Sequence, residues 1–472
     1  MSYQSFILSF RNGVSLKKES KEEIIVQSEA HNYTLKQLSY GLYSAIQLLA
    51  CGGATEEHLS NLVLLNGYYQ LPLFYYYLKN FNINCLLCHT VTQHNIPLAT
   101  ITPISQDYQF VEKKVYIDKK YILSRFACVH RNLENLILES PLSHAQIILH
   151  DWRGAALIAE LAKPKNCYEL CSKVPEISEA SMFAFLQLLL NAEVISVVEA
   201  NGKIEEEENL TLAQWEFHDL LFHTRSRQGR HTNLYGATYR FLDKINPLPG
   251  VKPKISNDVI ELYKPDIEKL QEEDLPFTLV LEKRKSIRSY AEKPITDKQI
   301  SEFLYRSARV REIFKTEYGE LTNRPYPSGG GIYELEIYLT VNTCENIPSG
   351  LYHYSPVEHQ LCKLSDRNKY VETLLLQASI SAARTCTPQI LITFAARFQR
   401  MSWKYNSIAY AAILKHVGVV YQTMYLVATA MNLAPCGLGC GNSDLFAKAA
   451  GTDYYAETSV GEFMLGSKPL EQ

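Results

Sequence analysis

The pattern of apolar and polar positions predicts alternating strands and helices over the first two hundred residues. Short apolar runs are typical of strands, and apolar residues at three- and four-residue spacing are typical of amphipathic helices. Thr34 and Gln37 read as a capping box that opens the first helix. The predicted order is strand 6–10, strand 24–26, helix to 49, helix 56–65, helix 71–80 and strand 85–91.

A similar order follows a second time, which suggests a degenerate duplication. The predicted elements are strand 115–117, strand 145–149, helix 152–161, helix 167–174, helix 178–191 and strand 194–199. Asn201-Gly202 then favours a hairpin turn. Strands, three helices and a hairpin make a winged-helix plan, so two such modules are expected.

Winged helices commonly bind DNA, and their third helices test that interpretation. Base edges are read by Arg, Lys, Asn or Gln, whereas 71–78 and 182–186 are apolar and aromatic. These faces suit core packing or a peptide groove better than a duplex. The acidic run Glu205–Glu208 reads as a solvated linker.

From Leu275 onwards the pattern predicts a further mixed domain. Thr296 and Gln299 form a capping box for a helix to Val310. The other expected elements are strand 334–341, helix 374–383, strand 389–395 and a long, largely apolar helix 405–431. The fold class is therefore α+β.

Composition narrows the class of protein. The chain has 472 residues, 46% hydrophobic and 21% charged, which indicates two to four globular domains. A net charge of -3 argues against a dominant nucleic-acid surface, and no run approaches 18 apolar residues, which argues against a membrane span. Without a signal-like start, the 11 cysteines indicate reduced thiols in a cytoplasm. Cys85-Leu86-Leu87-Cys88-His89 spells a haem-attachment motif but reads as a structural strand, so no metal site is expected.

Three short motifs point to a flat, phosphorylated ligand. Arg284-Lys285-Ser286-Ile287-Arg288 offers two guanidiniums and a hydroxyl, although alone it reads as a solvated basic turn. Glycine turns follow at 327–333, as Pro-Ser-Gly-Gly-Gly-Ile-Tyr, and at 435–439, as Pro-Cys-Gly-Leu-Gly. Glycine lets the backbone approach a ring system closely.

The order and spacing of these motifs resemble the nitroreductase-like flavoproteins over about 275–470. The resemblance implies FMN at the interface of a homodimer. The chain departs in having Pro-Ser-Gly-Gly-Gly where relatives more often have Pro-Ser-Ala-Gly-Ala. By this resemblance Arg284, Ser286 and Arg288 bind the phosphate and the polar edge of FMN, and Lys468 adds a further charge for the phosphate. The turn that meets the ring from the partner subunit is Pro327, Ser328, Gly329 and Gly330. The backbone near N5 is that of Gly437, Leu438 and Gly439.

Lys404-Tyr405 separates two kinds of flavin chemistry. Nitroreductase substrates accept hydride directly, whereas oxidation of an azoline also removes a carbon-bound proton and so needs a base. Lys-Tyr is a common dipeptide, and chance is the alternative. Its place after the core strand, expected at the start of the long helix, matches the catalytic pair of peptide azoline oxidases.

The whole layout resembles the cyanobactin thiazoline oxidases. It implies peptide-clamp (precursor-recognition) domains at 1–105 and 106–205, a connector at 206–274 and an FMN-binding oxidase domain at 275–472. The implied reaction converts thiazolines, or oxazolines, of a precursor peptide to azoles with O2 as final acceptor. An NAD(P)H-dependent reductase and a flavin-containing DNA-binding regulator stay open as alternatives.

Overall fold

The structure is a computed structural model, and it describes residues 6–20, 22–28, 32–65, 67–111 and 113–470. Two compact units follow each other along the chain. The N-terminal unit is Met1–Asn233 and the C-terminal unit is Leu234–Gln472.

The N-terminal unit mixes strands with short helices. Its strands are β1 (Ile7–Phe10), β2 (Ser15–Lys18), β3 (Ile24–Gln27), β4 (Asn32–Leu35), β5 (Ala54–Thr55), β6 (Leu87–Gln93), β7 (Ile96–Pro103), β8 (Lys120–Leu123), β9 (Cys128–Asn132), β10 (Asn135–Glu139), β11 (Ala145–Leu149) and β12 (Ile195–Val198). Its helices are α1 (Tyr40–Ala50), α2 (Glu56–Leu64), α3 (Leu71–Ile83), α4 (Trp152–Glu160), α5 (Cys167–Lys173), α6 (Glu179–Asn191), α7 (Glu205–Glu208) and α8 (Phe217–Arg225).

One antiparallel sheet joins the two predicted modules. Its order is β5-β1-β6-β7-β11-β10-β9, and the pairing of β7 with β11 crosses residue 105. Two smaller sheets, β2-β3-β4 and β8-β12, belong to the first and the second module respectively. The sheet contains strands from both predicted modules, so it does not decide where one domain ends and the next begins. The domain boundaries at 105 and 205 therefore stay predictions.

The predicted helices of both modules are confirmed to within a few residues, and β11 falls on its predicted bounds. The hairpin turn is confirmed as well, since Gly202 has a φ of +81° and the Glu199 N–H donates to Lys203 O at 2.9 Å. Cys88 and His89 are buried in β6, in line with a structural strand, whereas the buried Cys85 precedes β6 with a φ of +56°, so the strand begins two residues later than predicted.

Three local expectations are wrong. Thr34 lies in β4, paired with Ile25, and the helix is capped by Ser39 instead. Residues 115–117 form no strand, because the Tyr121 hydroxyl takes both the N–H and the C=O of Tyr116. Glu205–Glu208 is one helical turn in which Glu206 is buried and accepts hydrogen bonds from Ser124 Oγ and the Arg125 N–H.

The C-terminal unit begins with connector segments and continues into a larger sheet. Its strands are β13 (Gly236–Ala237), β14 (Val259–Glu261), β15 (Glu312–Thr316), β16 (Gly319–Asn323), β17 (Leu335–Val341), β18 (Gly350–Ser355), β19 (Gln360–Asp366), β20 (Ile390–Arg397), β21 (Tyr405–Asn406), β22 (Leu433–Leu438) and β23 (Glu457–Ser467). Its helices are α9 (Ile267–Glu273), α10 (Phe277–Lys283), α11 (Asp297–Ala308), α12 (Lys369–Ser381), α13 (Phe398–Lys404), α14 (Ala409–Ala430) and α15 (Ser443–Ala450).

Helices cover both faces of the seven-stranded antiparallel sheet β14-β19-β18-β17-β20-β23-β22. On one face, Phe303 of α11 and Val420 of α14 join the main core. On the other face, Leu375 of α12 and Phe446 of α15 form a second core. The sheet thereby holds the ends of β17, β20 and β22 at fixed positions around α14.

The capping box of Thr296 and Gln299 is confirmed at the start of α11. The long apolar helix is confirmed too, but it begins at Ala409, four residues later than expected. By length and composition alone α14 could cross a membrane, a test that the core helix of a globular protein also passes. The hairpin β15-β16 has no counterpart in the sequence-based prediction.

Candidate active site

The arginine motif forms an extended segment after α10. The Ile287 N–H donates to Pro435 O at 2.9 Å, which ties this segment to β22. The Arg284 guanidinium lies 5.3 Å from the centre of the Tyr425 ring, and Ser286 Oγ lies 2.8 Å from the Tyr425 hydroxyl. Arg284 and Ser286 therefore converge on one tyrosine of α14.

The same tyrosine holds the second glycine motif. The Gly437 N–H donates to the Tyr425 hydroxyl at 2.7 Å. A Cβ on Gly437 would lie 3.2 Å from the Tyr421 ring, whereas one on Gly439 would meet nothing within 4 Å. Tyr425 thus joins the arginine segment to the glycine strand, beside open space at Gly439. We call Arg284, Ser286, Arg288, Tyr425 and Gly437 the arginine cluster.

Arg288 of this cluster neighbours Cys436, and Lys468 directly follows β23. Burial raises the pKa of the Cys436 thiol, and the neighbouring Arg288 guanidinium opposes that rise. Lys468 Nζ donates to Asn432 Oδ1 at 3.2 Å. It also lines an open cavity of about 780 Å³ with Lys283 and Lys285, and Glu273 and Glu282 line the same cavity. The cluster and the cavity together present several cations, which suits a phosphate.

The first glycine motif forms a tight turn. Gly330 and Gly331 have φ values of +63° and +68°, a region that glycine adopts without strain. The Gly331 N–H donates to Ser328 O, and the Tyr333 N–H donates to Ser328 Oγ, both at 3.1 Å. Ser328 therefore fixes the turn from inside, since its backbone and side-chain oxygens both accept hydrogen bonds from the turn.

Lys404 and Tyr405 do not open the long helix as expected. Lys404 ends α13, and Tyr405 pairs with Ala237 in the two-stranded sheet β13-β21. The N–H groups of Thr238 and Tyr239 both donate to Lys404 O, at 3.0 and 3.1 Å. These backbone bonds to the connector hold the pair outside a helix, and Ser407, with a φ of +60°, precedes the start of α14.

The turn and the pair meet at Gly330. A Cβ on Gly330 would lie 2.6 Å from Lys404 Nζ and 2.6 Å from the Tyr405 hydroxyl. The two polar atoms are therefore no more than twice that distance apart. A cavity of about 110 Å³ adjoins Lys404 and is walled by Tyr239, Tyr318 and other residues. We call Gly329, Gly330, Lys404 and Tyr405 the turn cluster.

The two clusters occupy different positions along α14. Tyr425 serves the arginine cluster, and His416, nine residues earlier, contacts Gly329 of the turn cluster. At a rise of 1.5 Å per residue these positions are about 13 Å apart along the helix axis. Sequence reasoning missed both Tyr425 and His416, because neither belongs to a motif.

The donor set of the arginine cluster fits FMN. A phosphate suits guanidinium, ammonium and hydroxyl donors. The backbone at Gly437–Gly439 lies where an added side chain would either crowd Tyr421 or enter open space. Such a backbone edge can approach a planar ring.

Comparisons with known proteins identify the family of the C-terminal unit. Residues 281–467 match the nitroreductase family model. The nitroreductase-like protein MJ1384 of Methanocaldococcus jannaschii is 30% identical over 184 residues, which cover 39% of this chain and 85% of that protein. The chain belongs to the nitroreductase family.

The two halves of the N-terminal unit match more specific models. Residues 1–112 match the helix-turn-helix domain of the cyanobactin oxidase ThcOx, and residues 121–232 match the cyanobactin oxidase ThcOx model. Within the nitroreductase family, the chain is therefore placed among the cyanobactin oxidases. It is an oxidoreductase of the azoline-oxidising kind.

Two further comparisons cover parts of the chain. The microcin B17-processing protein McbC of Escherichia coli is 33% identical over 118 residues, which cover 23% of this chain and 42% of McbC. A crystal structure of a nitroreductase-like protein from Ralstonia eutropha has a TM-score of 0.37 and 21% identity, and it covers 51% of this chain and 99% of that one.

Proposed function

We propose that this oxidase converts thiazolines of a ribosomally made precursor peptide to thiazoles, with FMN as its cofactor. The observation that carries the proposal is the meeting of Lys404, Tyr405 and Gly330 at one point. A reductase of small acceptors needs no positioned base there, whereas removal of a carbon-bound proton does.

Arg284, Ser286, Arg288 and Lys468 would hold the phosphate and the polar edge of FMN, and Gly437–Gly439 would face its ring. When bound, FMN supplies a hydride acceptor at N5, and O2 restores its oxidised form. The Tyr425 hydroxyl bonds to both Ser286 and Gly437, so it fixes the arginine segment and the glycine strand relative to each other. Such shared anchoring keeps a ligand in one orientation.

Tyr405 Oη is the proposed base for the azoline ring. As the ring loses hydride from one carbon, the phenolate form of Tyr405 would take the proton from the neighbouring carbon and become the phenol, so the product is two hydrogens lighter. Lys404 assists by holding an ammonium group near that oxygen. Its Nζ lies 5.4 Å from the centre of the Tyr405 ring.

We infer that the complete site needs a homodimer. The arginine and turn clusters of one chain contact α14 about 13 Å apart along its axis, so we place the turn cluster of one subunit against the arginine cluster of its partner. The exposed face of α14 carries Tyr410, Leu414 and Gly418 at four-residue spacing, and Phe277 of α10 is 67% exposed. Burying this apolar surface favours association. Light scattering combined with flavin absorbance should give two FMN per dimer, and a flavin-replete monomer would contradict the assignment.

The decisive experiment incubates the FMN-loaded protein with a thiazoline-containing precursor peptide. Mass spectrometry should find a loss of two mass units per ring, together with oxygen consumption. Rapid reduction of the flavin by NAD(P)H without any change in the peptide would favour the reductase alternative instead.

We propose that the N-terminal unit captures the precursor peptide. Helix α3 exposes Tyr75 and Tyr76, and it carries one basic residue, Lys79. Such a face suits a peptide better than phosphates. The outer strands of the sheet β2-β3-β4 offer edges to which an extended peptide can add. We infer a cytoplasmic enzyme with no nucleic-acid or membrane partner.

Deletion of Met1–Asn233 tests this assignment. The remaining C-terminal unit should bind FMN and oxidise short thiazoline substrates, with weakened capture of the full precursor. Tight, salt-sensitive binding of duplex DNA by the isolated 1–233 fragment would overturn the assignment and support the regulator alternative.

A further inference from the structure

His416 is a buried histidine of α14 whose ring bonds to the first glycine turn. Its Nε2 lies 2.8 Å from the Gly329 amide nitrogen. A backbone N–H can only donate, so Nε2 accepts, and the ring proton of a neutral imidazole must lie on Nδ1. The histidine is thereby held in one tautomer.

Glu334 fixes that tautomer from the other side. Its Oε1 lies 2.7 Å from His416 Nδ1, and Glu334 is 0% exposed. The carboxylate accepts a hydrogen bond from Nδ1–H, which leaves the Nε2 lone pair free to accept the hydrogen bond from the Gly329 N–H. Its second oxygen, Oε2, is buried without a hydrogen-bond partner in the described part of the chain. Burying an unpaired carboxylate oxygen costs free energy of folding, and the Glu334 contact to His416 is present despite that cost.

The hydrogen bond between the Gly329 N–H and His416 lies next to the residues of the proposed reaction. Gly329 directly precedes Gly330, the point at which the turn touches Lys404 Nζ and the Tyr405 hydroxyl. A Cβ on Gly329 would lie only 3.2 Å from His416 Nε2, so the turn is seated closely on the imidazole. A displacement of the turn away from His416 would change the space in front of Lys404 and Tyr405.

We propose that His416, oriented by Glu334, is a positioning residue that sets the first glycine turn against Lys404 and Tyr405. The inference rests on the proposed function, because it assigns His416 a purpose in proton removal at Tyr405. His416 touches neither substrate nor flavin in this scheme. It acts through the Gly329 amide alone.

Two substitutions separate the two bonds of the imidazole. In His416→Gln the amide oxygen reaches roughly the place of Nε2 and can still accept from Gly329. In His416→Asn the shorter side chain reaches roughly the place of Nδ1 and can bond to Glu334 but not to Gly329. The matched control is His359→Asn, because His359 is equally buried, bonds to Tyr354 and the Tyr263 carbonyl, and does not contact the turn.

Two readouts are taken at matched FMN occupancy. The first is amide hydrogen exchange of peptides covering 326–334 in the full-length protein. The second is single-turnover flavin reduction by a thiazoline peptide. His416→Asn should exchange faster at 326–334 and reduce the flavin about 10- to 100-fold more slowly, since a displacement near 1 Å can cost about 100-fold in rate. His416→Gln should stay within a few-fold of wild type, and His359→Asn should match wild type in both.

The outcomes separate the inference from the proposed function. Unchanged exchange at 326–334 in His416→Asn would overturn the inference, as would faster exchange accompanied by a wild-type rate of flavin reduction. Equal losses in His416→Gln and His416→Asn would also overturn it, because the Gly329 acceptor would then be irrelevant. A wild-type protein that leaves every thiazoline intact would sink the proposed function, and the exchange data would still decide whether His416 holds the turn.

Discussion

The two units of the chain bury charge to very different degrees. In the C-terminal unit, the buried Glu336 of β17 lies between His353 Nε2 at 3.0 Å and the Arg397 guanidinium at 3.3 Å. Burial raises the pKa of Glu336, but the hydrogen bond from His353 and the nearby arginines lower it further, to about 2. In the N-terminal unit the two modules have apolar cores, and His89 is buried by stacking on Phe110 at 3.8 Å.

This difference is in line with the proposed functions of the two units, oxidation in the C-terminal unit and peptide recognition in the N-terminal unit. Buried ions need exact partners, so they keep neighbouring backbone in one place, which a reaction with hydride and proton transfer requires. The N-terminal unit exposes a pair of tyrosines directly before α3, with Tyr68 80% and Tyr69 72% exposed. Exposed tyrosines suit a partner that binds and leaves. The comparison predicts that substitutions in the C-terminal unit affect turnover or cofactor, whereas those in the N-terminal unit affect capture or stability.

The largest effect is expected at Tyr405. Tyr405→Phe keeps the ring and removes the oxygen proposed as base, so single-turnover flavin reduction by a thiazoline peptide should slow by about 10²–10⁴-fold. Lys404→Ala should slow the same step, since the ammonium near that oxygen is lost. Both variants should load FMN normally, because neither residue lies in the arginine cluster. Wild-type rates in both variants would make the pair structural and would place the base elsewhere.

Arg288→Ala should act on the cofactor rather than on the chemistry. Loss of one charge-assisted hydrogen bond costs about 1.5–3 kcal/mol, which weakens FMN binding roughly ten- to a hundredfold. Fluorescence titration of the apoprotein with FMN measures this. Arg367→Ala is the matched control, because Arg367 is half-exposed and pairs with Glu372 instead. Equal FMN affinity in both variants would show that Arg288 has no part in the site.

Tyr425→Phe should have a smaller effect on the same titration. The ring under Arg284 stays, but the Gly437 N–H loses its acceptor and Ser286 loses its partner. An unpaired amide of this kind costs about 1–2 kcal/mol, or roughly five- to thirtyfold in FMN affinity. Tyr370→Phe on α12 is a suitable control. An unchanged FMN affinity would leave Tyr425 as a packing residue.

Much of this organisation could be predicted from the sequence, because short motifs and helical periodicity are local. The boundaries that failed depend on distant partners. Thr34 with Gln37 and Thr296 with Gln299 look alike in sequence, yet Thr34 is taken into a sheet by Ile25 and Thr296 is not. Strand pairing with a residue distant in sequence can replace a local helix cap, as it does at Thr34.

The candidate site shows the same limit. The arginine and glycine motifs could be found as consecutive residues. His416 meets its partners across 82 and 87 residues of chain, and Tyr425 meets Ser286 across 139. A histidine or tyrosine in an apolar helix has no local signature of such contacts, so these residues were visible only once the fold was known.

The last expected effect is on stability rather than on the candidate site, and it lies in the N-terminal unit, at His89. Burial lowers the pKa of His89 from 6.5 to about 3, so the folded unit keeps the ring neutral while the unfolded chain protonates it below about pH 6.5. Stability is therefore full above pH 6.5 and falls as the pH decreases towards 3, by at most about 1.4 kcal/mol per pH unit. In the C-terminal unit, Glu336 has a lowered pKa, so its contribution is lost only below its ordinary pKa of 4.5.

His89→Phe keeps the stacking on Phe110 and removes the titrating group, so it should flatten this loss. Between pH 7 and pH 5 the melting temperature of the N-terminal unit in the wild-type chain should fall by several degrees more than in the variant, since about 2 kcal/mol corresponds to roughly 4–8 °C for a unit of this size. Scanning calorimetry of the full chain at both pH values measures this, and the transition of the C-terminal unit serves as an internal reference. A parallel fall in wild type and variant would mean that His89 does not set the acid sensitivity of this unit. The contrast in how the two units bury ionisable groups would then have no consequence for their stability.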